Sequence, residues 1–236
     1  MAKGFLDYSS VAKKLREVEV FPSSLTLLDC SLGGGVAIGK WFEIMGAEGT
    51  GKTSLSLRIA SSRIITNPKS YLLFIDAEQS LSYERIKETF LDDENVEIDE
   101  DGYIYYNGEP RGNVVVVETY EQVYRLLNDF SKFCVENNYE GLVVWDSLVS
   151  LTTEKILKGE SEGLSYKARA ISEIINRFRP DMSRIPITMI TINQIRAKIN
   201  ITGFGGLSKS EGIMGDIDYT IPAGYEHRFA SYLTIF

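Results

Sequence analysis

The chain reads as an α/β domain built on a mostly parallel central sheet flanked by helices. Three observations predict this. Short apolar runs alternate with helical patterns along most of the 236 residues, the rhythm of strand–helix–strand units. Some runs, such as Val114–Val117 and Leu142–Trp145, are continuously apolar, as strands buried on both faces are. A glycine-rich octapeptide, Gly46–Thr53, sits between a predicted strand and a predicted helix.

The elements follow in order. Apolar positions at helical spacing (Tyr8, Val11, Leu15, Val18) predict a short N-terminal helix over 7–19, within a segment 1–22 that precedes the core. Leu25–Leu32 is helical or turn-like and runs into Gly33-Gly34-Gly35. Trp41–Met45 is a strand and Lys52–Ile65 a helix. Tyr71–Ile75 is a strand and Tyr83–Phe90 a helix. Between Asn95 and Gly112, the alternating run Tyr103–Tyr106 ends on Asn107-Gly108, the signature of a tight hairpin, so an inserted acidic β-hairpin is expected. Val114–Val117 is the next strand. Glu121–Glu136 is a helix with Val123, Leu126, Leu127, Phe130 and Phe133 on one face. Leu142–Trp145 is a strand, Tyr166–Phe178 a helix and Ile187–Ile192 a strand. Ile199–Pro222, glycine-rich with few large apolar residues, is a long loop of the kind that carries function.

Composition narrows the function classes. No apolar run is long enough to span a bilayer and the N-terminus has no apolar leader, so a cytoplasmic protein is expected. Cys30 and Cys134 have no motif spacing and are read as reduced thiols. The net charge of −8 argues against a nucleic-acid partner until its distribution is considered. Seven acids and no base lie between Asp92 and Asp101. Between Lys155 and Lys198, nine bases outnumber the acids, so a locally basic surface is compatible with the acidic total.

Gly46-Ala47-Glu48-Gly49-Thr50-Gly51-Lys52-Thr53 matches the phosphate-loop pattern G-x-x-x-x-G-K-[ST] in full, with Ser54 following. Glycines let the backbone curl so that successive N–H groups face phosphate oxygens, and the following helix adds its positive end. Lys52 reaches the β- and γ-phosphates of a nucleoside triphosphate, read as ATP, and the Thr53 hydroxyl ligates Mg²⁺. Asp146, ending the strand Leu142–Trp145, stands where an acid holds that Mg²⁺ through water. Asp76-Ala77-Glu78 ends another apolar strand. Glu78 there either activates the attacking water or, with Asp76, caps the next helix, and spacing does not choose between them. Gln194, ending the strand Ile187–Ile192 just before the glycine-rich loop, either senses a γ-phosphate or bonds the loop entry. His227, the only histidine, is read as structural.

Taken in order, Leu32–Gly35, Gly46–Thr53, Phe74–Glu78, Val143–Ser147 and Ile192–Ile199 resemble the signatures of RecA recombinases, and Ser24–Asp29 is similar to that family's entry into the core. The similarity runs from about Ser23 to Phe236. It implies a P-loop NTPase of RecA-like fold over 23–236 and a homo-oligomeric filament on single-stranded DNA, with ATP between neighbouring subunits and duplex DNA engaged afterwards. It implies roles in DNA recombination and in repair of DNA damage. It implies that Glu78 is the catalytic glutamate, acting with Lys52, that Thr53 and Asp146 serve the metal, and that Gln194 is the γ-phosphate sensor. Residues 154–165 and 195–224 match the family's two DNA loops. The basic residues expected on the DNA backbone are Lys155, Lys158, Arg169, Arg196, Lys198 and Lys209, with sequence-tolerant, salt-sensitive binding.

The chain departs from the family's pattern in a short N-terminal segment, the acidic hairpin near 95–112 and a long second loop. It also stops at Phe236, on an apolar strand, before the lysines that reach a neighbour's ATP. The expectation is a truncated or phage-type core whose C-terminal end is missing from this chain. Two other classes share the fold: a RecA-like ATPase with a regulatory or motor role, marked by hydrolysis that ignores DNA, and a hydrolysis-deficient homologue that joins another filament, marked by turnover no greater than that of Lys52→Ala.

Overall fold

A computed structural model describes residues 18–90, 93–159, 164–197, 219–220 and 233–235. The predicted helix over 7–19 lies outside these residues except for Val18 and Glu19, which are not helical. The core opens with β1 (Val20–Phe21), α1 (Thr26–Ser31) and β2 (Val36–Ala37). Next come β3 (Trp41–Gly46), α2 (Lys52–Thr66), β4 (Ser70–Asp76) and α3 (Tyr83–Thr89). The meander β5 (Val96–Ile98), β6 (Tyr103–Tyr106) and β7 (Glu109–Val116) leads to α4 (Tyr120–Asn137) and β8 (Glu140–Asp146). Then follow α5 (Glu154–Leu157), α6 (Leu164–Arg184), β9 (Ile187–Gln194) and β10 (Arg196–Ala197). A 3-10 turn (Asp93–Asn95) precedes β5, and the short strands β11 (Tyr219–Thr220) and β12 (Leu233–Ile235) complete the described elements.

Eight strands form one sheet in the order β12-β3-β9-β8-β4-β7-β6-β5. The pairs from β12 to β7 are parallel; β6 and β5 add antiparallel strands at one edge. The central strands β4, β8 and β9 are buried almost throughout, because each is apolar on both faces and helices cover both. On one side Leu72, Phe74, Leu142, Val144 and Ile190 pack with Leu57, Ile59 and Ile64 of α2 and Ile86 of α3. On the other, Leu73, Ile75, Val143, Trp145 and Met189 pack with Val123, Leu127 and Phe130 of α4 and Ile171, Ile174 and Phe178 of α6.

Local chemistry explains the boundaries. Thr119 and Gln122 form a complete capping box at the start of α4, which supplies about 1 kcal/mol. Helix α6 runs past the predicted end at Phe178 to Arg184, with Pro180 inside it. The buried side chains of Phe178 and Met182 hold that last stretch on the sheet and outweigh the hydrogen bond that Pro180 cannot donate. The predicted hairpin turn is present: Tyr106 pairs with Glu109, and Asn107 and Gly108 both have positive φ, 53° and 76°. Its second arm is β7 itself, so the hairpin extends the main sheet. Val114 and Val115 are accordingly half-buried and Val116 exposed, not covered on both faces as their apolar run suggested. Asp99 closes the acidic turn, accepting the N–H groups of Tyr103 at 2.8 Å and Asp101 at 3.1 Å.

Gly35 is required where β2 turns against β1. Its φ is +140°, and an added Cβ would stand 2.2 Å from the Phe21 carbonyl oxygen. Gly33, also at positive φ (+74°), has nothing within 4 Å of such an atom. The prediction is that Gly35→Ala destabilises the protein by about 3 kcal/mol or more in urea denaturation, against about 1 kcal/mol for Gly33→Ala. Equal losses at the two positions would show that the close approach to Phe21 is unimportant.

Candidate functional site

The strands β3, β9, β8 and β4 are neighbours. Their carboxyl ends therefore bring four stretches that are distant in sequence to one crevice. Gly46 ends β3, Gln194 ends β9, Asp146 ends β8, and Glu78 follows Asp76 at the end of β4.

The loop Gly46–Gly51 joins β3 to α2, and Lys52 is the first residue of that helix. Gly51 precedes it in the left-handed region, φ 85°, which lets the chain turn into the helix with its free N–H groups facing the loop. The Lys52 ammonium donates to the carbonyls of Gly46 (3.1 Å) and Ala47 (2.7 Å), and the Thr50 hydroxyl donates to Ala47. Glu48, Gly49 and Ser54 belong to the same loop and the first turn of α2. A cleft of about 350 Å³ beside the loop is lined by Gly46, Lys52, Leu55, Ile195 and Ile235, among others.

Thr53 Oγ1 donates to Asp146 Oδ2 at 2.6 Å. Asp146 is 1% exposed, and its other oxygen, Oδ1, is buried with no hydrogen-bond partner among the described residues. Burial pushes its pKa up to about 6 from 3.8; the Thr53 hydrogen bond and Lys52 oppose this, while Glu78 and Asp76 add to it. A hydroxyl next to an under-bonded carboxylate fits Mg²⁺, which takes few protein ligands and completes its shell with water and phosphate oxygens. No cluster of three metal-binding side chains occurs among the described residues.

The two carboxylates after β4 divide. Asp76 is buried and accepts the N–H groups of Ser80 (3.3 Å) and Leu81 (3.1 Å), while Ser82 caps α3 by accepting from Arg85. Glu78 instead meets the end of β9 and the turn after β8. Its Oε1 meets Gln194 Nε2 at 3.1 Å, Ser147 Oγ at 2.7 Å and Ser150 Oγ at 3.1 Å. Glu78 and Gln194 are 116 residues apart in sequence and in direct contact. Ser150 carried no signal in the sequence: no motif spacing marks it, and the turn after β8 brings it to the site.

Beyond Gln194, the Ile195 N–H donates to the Gly46 carbonyl at 3.2 Å, tying the loop entry to the phosphate loop. Arg196–Ala197 then pair antiparallel with Tyr219–Thr220, which draws the two ends of the glycine-rich segment together. Lys155 and Lys158, on and just after α5, and Arg169 on α6 are exposed. Lys198, Lys209 and His227 lie outside the described residues. No described helix is long and apolar enough to cross a membrane.

Residues 7–103 match the family model described as the RecA N-terminal domain. The chain is 29% identical over 196 residues to Protein RecA of Campylobacter lari, covering 82% of this chain and 51% of that protein. It is 28% identical over 203 residues to Protein RecA of Helicobacter pylori (strain HPAG1) and to that of Sulfurimonas denitrificans, covering 85% of this chain and 52% of each relative. The chain thus spans about half the length of these relatives.

Proposed function

Since the chain is a member of the RecA family, we propose that it is an ATP-dependent, single-stranded DNA-binding recombinase that promotes homologous pairing and strand exchange. The observation that carries this reading is the path from Glu78 through Gln194 to the segment after Ile195. A side chain that touches the hydrolytic carboxylate stands one residue from the entry to a long glycine-rich loop.

The N–H groups of Gly46–Thr53 and the ammonium of Lys52 bind the β- and γ-phosphates. Thr53 and Asp146 would hold Mg²⁺, which would supply neutralisation of the charge on the phosphate oxygens. Glu78 orients the attacking water and accepts its proton. Gln194 donates its amide to the γ-phosphate and thereby leaves Glu78. That movement passes to residues 195–224, which, with 154–165, bind DNA. Lys155, Lys158, Arg169, Arg196, Lys198 and Lys209 serve the DNA backbone. Neighbouring subunits form a filament in the cytoplasm, first on single-stranded and then on duplex DNA.

Fluorescence anisotropy with a labelled single-stranded oligonucleotide tests this. With Mg²⁺ and a non-hydrolysable ATP analogue the predicted result is stoichiometric binding that weakens at least about tenfold between roughly 50 and 200 mM salt. Absence of an ATP-dependent signal at low salt would sink the reading. ATP hydrolysis that does not respond to DNA would favour a regulatory or motor ATPase.

A further inference from the structure

Three donors converge on one oxygen of Glu78. Ser147 Oγ lies 2.7 Å from Oε1, and Ser150 Oγ and Gln194 Nε2 lie 3.1 Å from it. The two serine hydroxyls are also 2.6 Å apart, and either can donate to the other. A carboxylate oxygen has about two lone-pair sites, so three donors cannot all be served at once. With Gln194 on Oε1, one serine hydroxyl completes the pair and the other turns to its serine neighbour. When the Gln194 amide leaves, both hydroxyls can point at Oε1 by rotating a single hydrogen, with no heavy atom moving.

The two serines differ in what holds them. Ser147 is fully buried, directly after the last residue of β8. Ser150 is exposed, at the end of a turn closed by its N–H on the Ser147 carbonyl at 3.4 Å. It makes no apolar contribution to the core, so its hydroxyl is what it brings to the site.

We propose that Ser150 is a positioning residue: it supplies Glu78 Oε1 with the hydrogen bond that Gln194 gives up to a γ-phosphate, and so keeps the carboxylate aimed during turnover. The proposal rests on the ATPase reading of this same site and adds a residue to it. A hydrogen bond to a charged group is among the stronger ones, and loss of aim acts on turnover rather than on nucleotide binding.

The test compares steady-state ATP turnover of the full chain with Ser150→Ala, Ser150→Thr, Glu78→Gln and Lys52→Ala. Ser150→Ala is expected to lower kcat on the order of ten- to a hundredfold with KM within about twofold, and Ser150→Thr to recover most of the loss. Unchanged turnover in Ser150→Ala, with turnover lost in Glu78→Gln, overturns the proposal and leaves the ATPase reading standing. Equal losses in the Ala and Thr variants overturn it too, because the hydroxyl would then not matter. If the unmodified chain turns over no faster than Lys52→Ala, the hydrolytic reading fails. A crystal structure with Mg²⁺ and a β,γ-imido ATP analogue then decides the exchange by itself. Ser150 hydrogen-bonded to Glu78, with Gln194 withdrawn from it, is the expected arrangement; Gln194 still on Glu78, or Ser150 turned away, overturns the proposal.

Discussion

Glu78→Gln is expected to lower ATP turnover by about 10²–10⁴-fold, the range for removing a general base, while leaving nucleotide binding intact or tighter. The substitution keeps the shape of the side chain, and the carbonyl of the new amide can still accept from two of the three donors Ser147, Ser150 and Gln194 at a time. What is lost is the capacity to take a proton from water. Binding should hold because, in the proposed mode, the phosphates are met by Gly46–Thr53, on another strand end. It should tighten because Glu78 is one of the charges that raise the Asp146 pKa. Removing that repulsion eases ionisation of Asp146 and thus Mg²⁺ binding. The proposed DNA complex should also last longer, since its ATP is not consumed. Single-turnover hydrolysis and equilibrium binding of Mg²⁺ with a fluorescent ATP analogue check both halves. Turnover within about threefold of the unmodified chain would remove Glu78 from the chemistry.

Asp146→Asn is predicted to separate stability from function. The Asp146 pKa is about 6 in the fold against 3.8 for the ordinary group, chiefly because it is buried. Between those values the folded protein holds a proton that the unfolded chain has released, so stability falls as pH rises through this window. The full penalty applies above about pH 6 and is relieved as pH drops toward 4. Two pKa units correspond to about 3 kcal/mol. Asparagine removes the charge and keeps an acceptor for Thr53, but its NH₂ needs a partner, which reduces the gain to about 1–2 kcal/mol. Thermal unfolding of the metal-free protein should therefore shift upward by roughly 2–8 °C at pH 7.5, and by less at pH 5. Mg²⁺-dependent ATP binding should be lost in the same variant. In the unmodified protein that binding should weaken as pH falls through about 6, because the protonated acid is a poor partner for the cation. A variant less stable than its parent at pH 7.5 would refute the burial argument.

Both predictions concern residues visible in the sequence, yet their arguments depend on contacts that are not. Apolar runs followed by an acid marked Asp146 and Asp76-Ala77-Glu78 alike. Only the fold separates Asp76, whose oxygens are engaged by Ser80 and Leu81, from Glu78, which faces the end of β9. The hairpin shows the same division. Asn107-Gly108 announced its turn because those residues tolerate positive φ, a local property. That its second arm is also a strand of the central sheet depends on β4 pairing with β7 from Leu72 to Asp76, which no local signal carries. Helix α6 outran its predicted end because the packing of Met182, a tertiary contact, outweighed the local cost of Pro180.

By itself, then, the sequence determined the strand–helix alternation, the phosphate loop and the ordered motifs, because each depends on side-chain periodicity or on residues close together in the chain. The tertiary structure alone decided the strand order, which makes neighbours of Gly46, Gln194, Asp146 and the Glu78 turn. It also decided the burial that shifts Asp146 and the convergence of Ser147, Ser150 and Gln194 on one oxygen of Glu78. The physical reason is that desolvation and long-range hydrogen bonds depend on which strand ends are adjacent, and parallel strands become adjacent through crossovers whose order the local pattern does not encode.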